Sequence, residues 1–220
     1  LIVSCQAEGD SPFNHPSMMA AFAEEARRGG AGGFRTEGIE NLKAIRRQQT
    51  LPVIGLIKDH YSDGSVCISR RPDQIRHLQE AVAEIVAVDC TFRIFDGRDG
   101  PSLIRYMKSQ GIRLIMADIS SPEEALACLE AGADCISTTL GGYTPHTAQK
   151  VTNEPDFDLL TDCLKLAAPG VPVFAEGRYN RPEWAARAIE SGAWSLVVCS
   201  AITRPHLITK WFCHAISERV

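Results

Sequence analysis

The chain has 220 residues, of which 45% are hydrophobic and 23% are charged, and it carries a formal net charge of −4. This composition is typical of a globular protein. The acidic balance, without basic runs, argues against nucleic acid or a membrane surface as a partner. No apolar run reaches the roughly 18 residues that a membrane span needs.

The start of the chain and its cysteines bear on the compartment. The apolar LIVSCQ segment is short for a signal peptide and lacks a basic flank. Because the chain begins without Met, we expect an N-terminal helix to have been truncated. None of the eight cysteines forms a C-x-x-C pair, and several lie in apolar runs. We therefore expect reduced thiols and a cytoplasmic protein.

Short apolar, β-branched runs recur along the chain, each followed by a helix-like segment. The eight runs are LIVSCQ (from Leu1), AGGFRTEG (Ala31), LPVIGLIK (Leu51), EIVAVDCT (Glu84), IRLIMADIS (Ile112), CISTTLGG (Cys135), VPVFAEGR (Val171) and SLVVCSAIT (Ser195). Strands that alternate with helices predict a parallel sheet. Eight such repeats predict a single (β/α)₈ TIM barrel domain over residues 1–220, with an open doubly wound sheet as the alternative.

The segments between the runs carry helix start and stop signals. Pro16 begins a helix that ends at Gly29 and Gly30. Ser121 is the expected N-cap of a helix that stops at Gly132. The segment NRPEWAARAIESGAW repeats that arrangement, with Asn180 or Arg181 as the N-cap, Pro182 in the first turn and Gly192 at the end.

Nearly every predicted strand ends in a polar residue that shares the inward-facing alternation of the apolar residues before it. Because the carboxyl ends of barrel strands form the catalytic face, these side chains are expected to meet at one mouth. The set is Gln6, Arg35, Lys58, Asp89, Asp118, Thr138 or Thr139, Glu176 and Ser200. A charged residue after one strand is usually solvated, but surface bias alone rarely places one after nearly every strand.

The predicted mouth mixes positively charged side chains with the carboxylates of Asp89, Asp118 and Glu176. Arg35, Lys58, Arg178 and Arg204 bring positive charge to the mouth, and the six histidines do not pair at metal-ligand spacing. No nucleotide-binding glycine motif occurs, so we expect no cofactor and no metal. The loops after strands seven and eight commonly hold phosphate in barrels. There, Gly177 allows close backbone approach, the N–H groups of Ser200, Ala201 and Ile202 could face an anion, and Arg204 adds charge.

Lys58 has two chemical interpretations at this stage. Its amine could form a Schiff base with a carbonyl substrate, or it could act as a proton-transfer base. Both require the neutral amine, and the sequence leaves the choice open.

The ordered motifs resemble those of one enzyme family. SCQ, FRTEG, PVIGLIK, MADIS, STTLGGYTP, AEGRYN and AITRP are similar, in this order along nearly the whole chain, to the N-acetylmannosamine-6-phosphate 2-epimerases of sialic acid catabolism. The resemblance implies cofactor-free interconversion of N-acetylmannosamine 6-phosphate and N-acetylglucosamine 6-phosphate in a cytoplasmic homodimer. It implies Lys58 and Glu176 as the catalytic pair. It also places Gln6, Arg35, Asp118 and Arg204 at sugar- and phosphate-binding positions.

Two segments depart from the family pattern. Cys199 stands where relatives often have Gly, and TFRIFDGRDG replaces an Arg- and Pro-rich stretch, which puts roles for Thr91 and Arg93 in doubt. The alternatives that remain are a Schiff-base aldolase, another phosphosugar isomerase, or a sugar-phosphate sensor without catalysis.

Two further segments carry structural expectations. The long irregular stretch 141–158 follows strand six and is expected to form a functional flap or mobile loop. In the last predicted helix, Ile208, Trp211, Phe212 and Ile216 form an apolar stripe. We expect this stripe to pack on the barrel, with a partner subunit as the alternative.

Overall fold

The computed structural model describes residues 1–7, 9–150 and 153–218, and within them the chain alternates strands with helices. The strands are Ile2–Cys5 (β1), Gly33–Glu37 (β2), Val53–Leu56 (β3), Lys58–His60 (β4), Val66–Ile68 (β5), Ile85–Asp89 (β6), Ile115–Asp118 (β7), Cys135–Ser137 (β8), Val173–Glu176 (β9) and Ser195–Val198 (β10). The α-helices are Pro16–Arg28 (α1), Ile39–Arg46 (α2), Pro72–Glu80 (α3), Gly100–Ser109 (α4), Pro122–Glu130 (α5), Phe157–Leu166 (α6), Pro182–Glu190 (α7), Ser200–Thr203 (α8) and Pro205–Ser217 (α9).

Eight of the strands close into a parallel barrel in the order β1-β10-β9-β8-β7-β6-β3-β2. Closure is made by the first and last strands, where Ile2 pairs with Val197. Each of the eight runs predicted from the sequence contains one barrel strand. The (β/α)₈ prediction is therefore confirmed, and the open doubly wound sheet is excluded, because an open sheet leaves its end strands unpaired.

Alternate residues of the barrel strands fill the interior, as the predicted columns require. This inner cluster includes Ile54, Leu56, Met116, Phe174 and Val197. The residues between them face outward and pack against the helices in a larger cluster. Leu114, which has the same alternation as Met116 and Asp118 in the sequence and is therefore expected to face inward, instead lies before β7 and is exposed.

The predicted helix ends are also present. The Ser121 hydroxyl accepts from the Glu124 N–H at 3.3 Å, while a Glu124 carboxylate oxygen accepts from the Ser121 N–H at 3.2 Å. This reciprocal pair is a capping box, and it fixes the first turn of α5 directly after β7. Helix α7 begins after Arg181, which resolves the choice of N-cap.

Two excursions interrupt the barrel repeat on the side of the strand carboxyl ends. After β3, the antiparallel hairpin β4–β5 is inserted, and Lys58 lies opposite Ile68 in its register. After β8, the predicted long loop contains a 3₁₀ turn at Ala148–Lys150 before α6. Within it, Thr144 and Thr147 are buried, so this part of the predicted flap packs on the protein. Val151 and Thr152 of the predicted loop lie outside the described residues.

The last helix corrects one expectation. None of the residues of α9, all of which are described, is buried. Phe212 is 68% exposed and Ile216 is 63% exposed. The predicted packing of this stripe on its own barrel is therefore wrong for Trp211, Phe212 and Ile216, while Ile208 is half-buried. The sequence pattern identifies an amphipathic helix, but it does not say which surface covers the apolar face. Arg219 and Val220, at the end of the predicted helix, lie outside the described residues.

No helix in the described ranges is long and apolar enough to cross a membrane.

Gly100 determines how closely α4 approaches the end of β6. A Cβ at this position would lie 2.3 Å from the carbonyl carbon of Cys90. We expect Gly100→Ala to lower the free energy of unfolding by about 1–3 kcal/mol, because backbone rather than a flexible side chain must move. Urea denaturation followed by circular dichroism measures this change.

Gly29→Ala is the control for that substitution. Gly29 ends α1 at a φ of −78°, and a Cβ there would meet nothing closer than 3.4 Å. Equal losses of stability in the two variants would contradict the steric explanation.

Candidate active site

A cavity of about 340 Å³ opens at the carboxyl ends of the barrel strands. Nine of the residues predicted for the mouth and its phosphate loops line this cavity, and they come from six of the barrel repeats. They are Gln6, Arg35, Lys58, Thr139, Glu176, Gly177, Arg178, Ser200 and Arg204. Lys58 and Glu176, which are 118 positions apart in the chain, therefore face one chamber.

Arg35 is the centre of this site. It is 1% exposed, and its two terminal nitrogens contact the carboxylate of Asp118 at 2.6 and 3.1 Å. Its Nη1 also lies 3.1 Å from Glu176 Oε2. One buried guanidinium thus holds two carboxylates, from β7 and β9, the two strands that flank β8. Such planar, charge-assisted contacts fix the orientation of the carboxylates and also stabilise their negative charge.

Hydroxyl groups from the end of β8 complete the contacts of the two carboxylates. Thr139 Oγ1 lies 2.7 Å from Asp118 Oδ1 and 3.1 Å from Glu176 Oε2. Ser137 Oγ lies 3.2 Å from Glu176 Oε2. Thr138 has the opposite orientation: its hydroxyl donates to the backbone carbonyl of Glu176 at 2.8 Å and accepts from its N–H at 3.0 Å.

Among the described residues, Asp118, Thr138 and Ala201 do not line the cavity, although all three are candidates from the sequence. Asp118 is fully buried behind Arg35 and Thr139. Thr138 holds the backbone at Glu176, as described above. Asp118 and Thr138 thus support the chamber from behind, whereas Ala201 packs against the larger apolar cluster.

Several polar residues of the site escaped the sequence analysis: Tyr179 and Asn180 line the cavity after β9, and Ser4 and Ser137 belong to strand columns whose ends were predicted. Ser4 lines the cavity and accepts a hydrogen bond at 2.9 Å from the side-chain amide of Gln6. Ser137 contacts Glu176. Each precedes a predicted residue by two positions and faces the same side of its strand: Ser4 precedes Gln6, and Ser137 precedes Thr139. Extending each column by two residues would have found them.

The single positive charge of Arg35 cannot neutralise the negative charges of both carboxylates. Burial raises the pKa of both the Asp118 and the Glu176 carboxyl above their ordinary values, while Arg35 acts in the opposite direction. The charge of Asp118 raises the pKa of Glu176 further, and the charge of Asp89 raises the pKa of Asp118 further. Desolvation disfavours the ionised form of a carboxyl group. A raised carboxyl pKa in a cleft is a common property of acid–base sites.

Lys58 is held by the hairpin rather than by a barrel strand. Ser69 follows β5 and binds the backbone of Ile57 twice, through its hydroxyl at 3.0 Å and its N–H at 2.7 Å. These bonds close the hairpin directly beside Lys58. Ile68, opposite Lys58, lines the cavity as well and forms an apolar wall next to the amine.

Asp89, predicted at the mouth, instead anchors the outer side of the hairpin. It is fully buried, and its carboxylate accepts from the Tyr61 hydroxyl at 3.1 Å, the Thr91 hydroxyl at 2.7 Å and Arg93 at 2.7 Å. The guanidinium of Arg93 also lies over the Tyr61 ring, 4.1 Å from its centre. Thr91 and Arg93 thus have a structural role in this chain despite the altered segment around them.

The loops after β9 and β10 border the cavity, where a phosphate site was predicted. Gly177 and Arg178 both have positive φ, +104° and +63°. Arg178 donates to the carbonyls of Glu154 and Gly141 at 2.8 and 2.9 Å, which ties the long loop to this edge. The Ile202 N–H donates to the Cys199 carbonyl at 2.9 Å, so it belongs to the turn of α8 rather than to an anion site.

Ionisation of Glu176 has a defined effect on stability. Because its pKa is raised in the folded protein, ionisation costs the folded state free energy that it does not cost the unfolded chain. Stability therefore falls as the pH rises from the ordinary value of 4.5 through the higher pKa of the folded state. We expect Glu176→Gln, which does not ionise, to be more stable than the wild type at neutral pH by on the order of 1 kcal/mol.

The difference should disappear below about pH 4, where the wild-type carboxyl is protonated in both states. Urea titrations across the pH range measure it. Glu24→Gln serves as the comparison, since hydrogen bonds from Arg27 and Gln49 lower the pKa of Glu24 to about 2, which gives the opposite sign. A gain of stability in both variants, or one that is independent of pH, would refute this account.

Comparison with known proteins gives a consistent result. The model of the family "Putative N-acetylmannosamine-6-phosphate epimerase" (NanE) matches residues 19–218. The "Putative N-acetylmannosamine-6-phosphate 2-epimerase" of Clostridioides difficile (strain 630) is 43% identical over 217 residues, which cover 98% of this chain and 95% of that protein. The "Bifunctional enzyme NanE/NanK" of Brucella suis biovar 1 (strain 1330) is 45% identical over 220 residues, 99% of this chain and 40% of that longer protein.

A solved structure of the N-acetylmannosamine-6-phosphate 2-epimerase from Clostridium perfringens superimposes on this chain with a TM-score of 0.88 at 38% identity, covering 97% of this chain and 92% of that one. The match of sequence over nearly the full length, together with the same barrel, leaves one conclusion: this chain belongs to the N-acetylmannosamine-6-phosphate epimerase (NanE) family.

Proposed function

We propose that this chain interconverts N-acetylmannosamine 6-phosphate and N-acetylglucosamine 6-phosphate by moving the proton on C2 of the sugar, as an isomerase of sialic acid degradation. The observation that carries this proposal is the single chamber lined by Lys58, Glu176 and Arg35. Membership of the family supports the substrate class.

The chemistry of the reaction explains why such a chamber is needed. The C2 proton becomes acidic only beside a carbonyl group, so the sugar ring must first open to the aldehyde. A base then removes the proton, and reprotonation from the other face gives the epimer. Each step moves protons and leaves the oxidation state unchanged, so residues of this chain suffice and no cofactor is required.

We assign proton exchange at C2 to the amine of Lys58. Glu176 assists ring opening and proton transfer, since burial raises the pKa of its carboxyl and so favours the protonated form that an acid needs. Gln6 and Ser4 line the cavity and can orient hydroxyl groups of the sugar. Asp118, predicted to bind the sugar directly, is fully buried, and we assign it to fixing Arg35.

The phosphate is proposed to lie between the loops after β9 and β10. Gly177, Ser200 and Arg204 line this side of the cavity. The charge of Arg204 and the close backbone approach at Gly177 suit a dianion. Binding energy from the phosphate, remote from C2, would orient the reacting carbon between the acid–base groups.

Replacement of Lys58 tests the proposed chemistry. Lys58→Met keeps the length of the side chain and removes the amine, so we expect C2 proton exchange and epimer formation to fall together by about 10²–10⁴-fold. Proton NMR in D₂O with N-acetylmannosamine 6-phosphate reads both events in one sample.

Lys43→Met, on the exposed surface of α2, is the matched control and should retain wild-type rates. Borohydride treatment in the presence of substrate is a second check. A covalent adduct on Lys58 would replace the proton-transfer mechanism with a Schiff base, and full turnover by a folded Lys58→Met protein would end the assignment.

We further propose that the chain works in the cytoplasm as a homodimer. All eight cysteines lie in the described residues and are free thiols, which suits a reducing compartment. The C-terminal part of the apolar side of α9, with Phe212 and Ile216, is exposed, and burial of such a stripe on a second copy would stabilise a dimer.

The dimer proposal is tested on α9. We expect Phe212→Glu to convert the protein to a monomer in sedimentation velocity, because the charge would have to be desolvated in the interface. Leu126→Glu places the same charge at a side chain that is 42% exposed on α5, and it should leave the sedimentation coefficient unchanged. A wild-type protein that sediments as a monomer would dismiss the proposal.

A further inference from the structure

The hairpin β4–β5 turns one of its faces toward the cavity. In its antiparallel register Lys58 pairs with Ile68, and His60 pairs with Val66. Directly opposed residues point to the same face of a pair of strands, and diagonal neighbours on that face are within reach of a long side chain. Lys58, Ile68 and Val66 all line the cavity. The amine of Lys58 is therefore carried on a face that also presents two aliphatic side chains.

These two aliphatic side chains lie at different depths and are fixed in place. Ile68 is 4% exposed and belongs to the inner cluster of the barrel, whereas Val66 is 42% exposed. On the other face of the hairpin, Asp59 contacts Arg71 at 3.0 Å. At its outer end, Arg93 donates to the Val66 carbonyl at 3.4 Å. The wall beside Lys58 is thus an apolar surface that the surrounding structure holds in position.

The opposite side of the mouth has a different character. Glu176, Gly177 and Arg178 line the cavity from β9 and the loop after it. In the closed barrel, β9 lies four strands from β3 in either direction, so these residues face the hairpin that follows β3. The chamber therefore has charged and polar groups on the side of the proposed phosphate site and an apolar wall beside Lys58.

The covalent structure of the substrate matches this division. In the ring-opened sugar, the phosphate on C6 and the reacting C2 lie toward opposite ends of the carbon chain. Lys58 must reach C2 to exchange its proton, and C2 also carries the acetamido group. With the phosphate bound at the loops after β9 and β10, the acetamido group is brought to the hairpin. Its methyl is the least polar part of the substrate, and contact with an apolar wall removes that methyl from water.

We propose that Ile68 and Val66 form an acyl pocket, which receives the methyl of the C2 acetamido group and determines which N-acyl groups the enzyme accepts. This inference rests on the proposed function. Ile68 forms the floor of the pocket and Val66 its outer wall, and neither takes part in proton transfer. A longer acyl group would have to displace Ile68, which the inner cluster supports from behind. An amino sugar without an acyl group would place a charged ammonium against an apolar wall, which is unfavourable.

The floor of the pocket is tested by matching one carbon of the protein to one carbon of the substrate. Ile68→Val removes one carbon from the wall, and N-propanoylmannosamine 6-phosphate adds one to the acyl group. The D₂O assay gives kcat/KM for the N-propanoyl and the N-acetyl substrate. We expect the ratio of the first value to the second to be about 10-fold higher in Ile68→Val than in the wild type, the lower end of the discrimination that one methylene produces in an apolar pocket.

Ile54→Val is the matched control. Ile54 is 2% exposed in the same inner cluster, but it is not among the described residues that line the cavity. The same loss of one carbon there loosens the core without enlarging the pocket, so the ratio of the two kcat/KM values should remain that of the wild type. An unchanged ratio in Ile68→Val, or an equal rise in both variants, would overturn the proposal.

Val66→Thr tests the outer wall. Threonine is close to valine in shape and adds a hydroxyl, and a glycolyl group is an acetyl group with a hydroxyl on its methyl carbon. The new hydroxyl can pair with that of the substrate, so we expect kcat/KM for N-glycolylmannosamine 6-phosphate, relative to that for the N-acetyl substrate, to rise about 10-fold. A relative kcat/KM equal to that of the wild type would remove Val66 from the pocket.

A second measurement does not depend on the activity of any variant. Wild-type protein labelled with ¹³C at the isoleucine δ1 methyls is mixed with the equilibrated epimers, and the Ile68 signal is assigned by its loss in Ile68→Val. We expect a nuclear Overhauser effect between this methyl and the acetyl methyl of the sugar, and its absence would refute the pocket. If the wild type neither exchanges the C2 proton nor forms the epimer, the proposed function fails, whereas an active wild type that fails these tests refutes the pocket alone.

Discussion

The burial of Arg35 between two carboxylates is the constraint on which the candidate site depends. A guanidinium that is 1% exposed is tolerable in a barrel interior only when negative groups surround it. Here the partners come from two other strands, Asp118 from β7 and Glu176 from β9. The pair of carboxylates in turn exceeds the charge that one guanidinium can balance. The barrel therefore places two negative charges around one positive charge at its mouth. The hydroxyls of Ser137 and Thr139, at the end of β8, stabilise the carboxylates by hydrogen bonds.

Some functional residues of the site lie on segments inserted between the barrel strands and helices. Lys58 lies on the inserted hairpin β4–β5, and the hairpin is fixed on its outer side through Asp89, Tyr61 and Arg93. Arg178 likewise attaches the long loop after β8 to the loop after β9. In both excursions, side chains at strand ends hold the added backbone in place. Polar residues at the mouth thus divide into those that face the chamber and those that build its walls.

That division marks the limit of what alternation along a strand can predict. Asp118 and Glu176 end inward-facing columns on either side of β8 and look equivalent in the sequence, yet Asp118 is buried behind Arg35 whereas Glu176 lines the cavity. Thr138 and Thr139 are adjacent, and only the second faces the chamber. Asp89 has the same position at its strand end as Asp118, but it points to the hairpin. Whether a strand-end side chain faces the cavity depends on which side chains from other strands occupy the space around it.

The sequence by itself determined the barrel, its eight strands, the helix caps and the group of strand ends that form the mouth. These features follow from local periodicity, from proline and glycine at helix ends, and from the common direction of parallel strands. Only the tertiary structure decided that Arg35 joins two carboxylates, that Thr139 connects them, and that the C-terminal part of the apolar side of α9 lies uncovered by its own barrel. Such contacts join residues as far apart as Arg35 and Glu176, and no local pattern carries information about which distant side chain will share a given space.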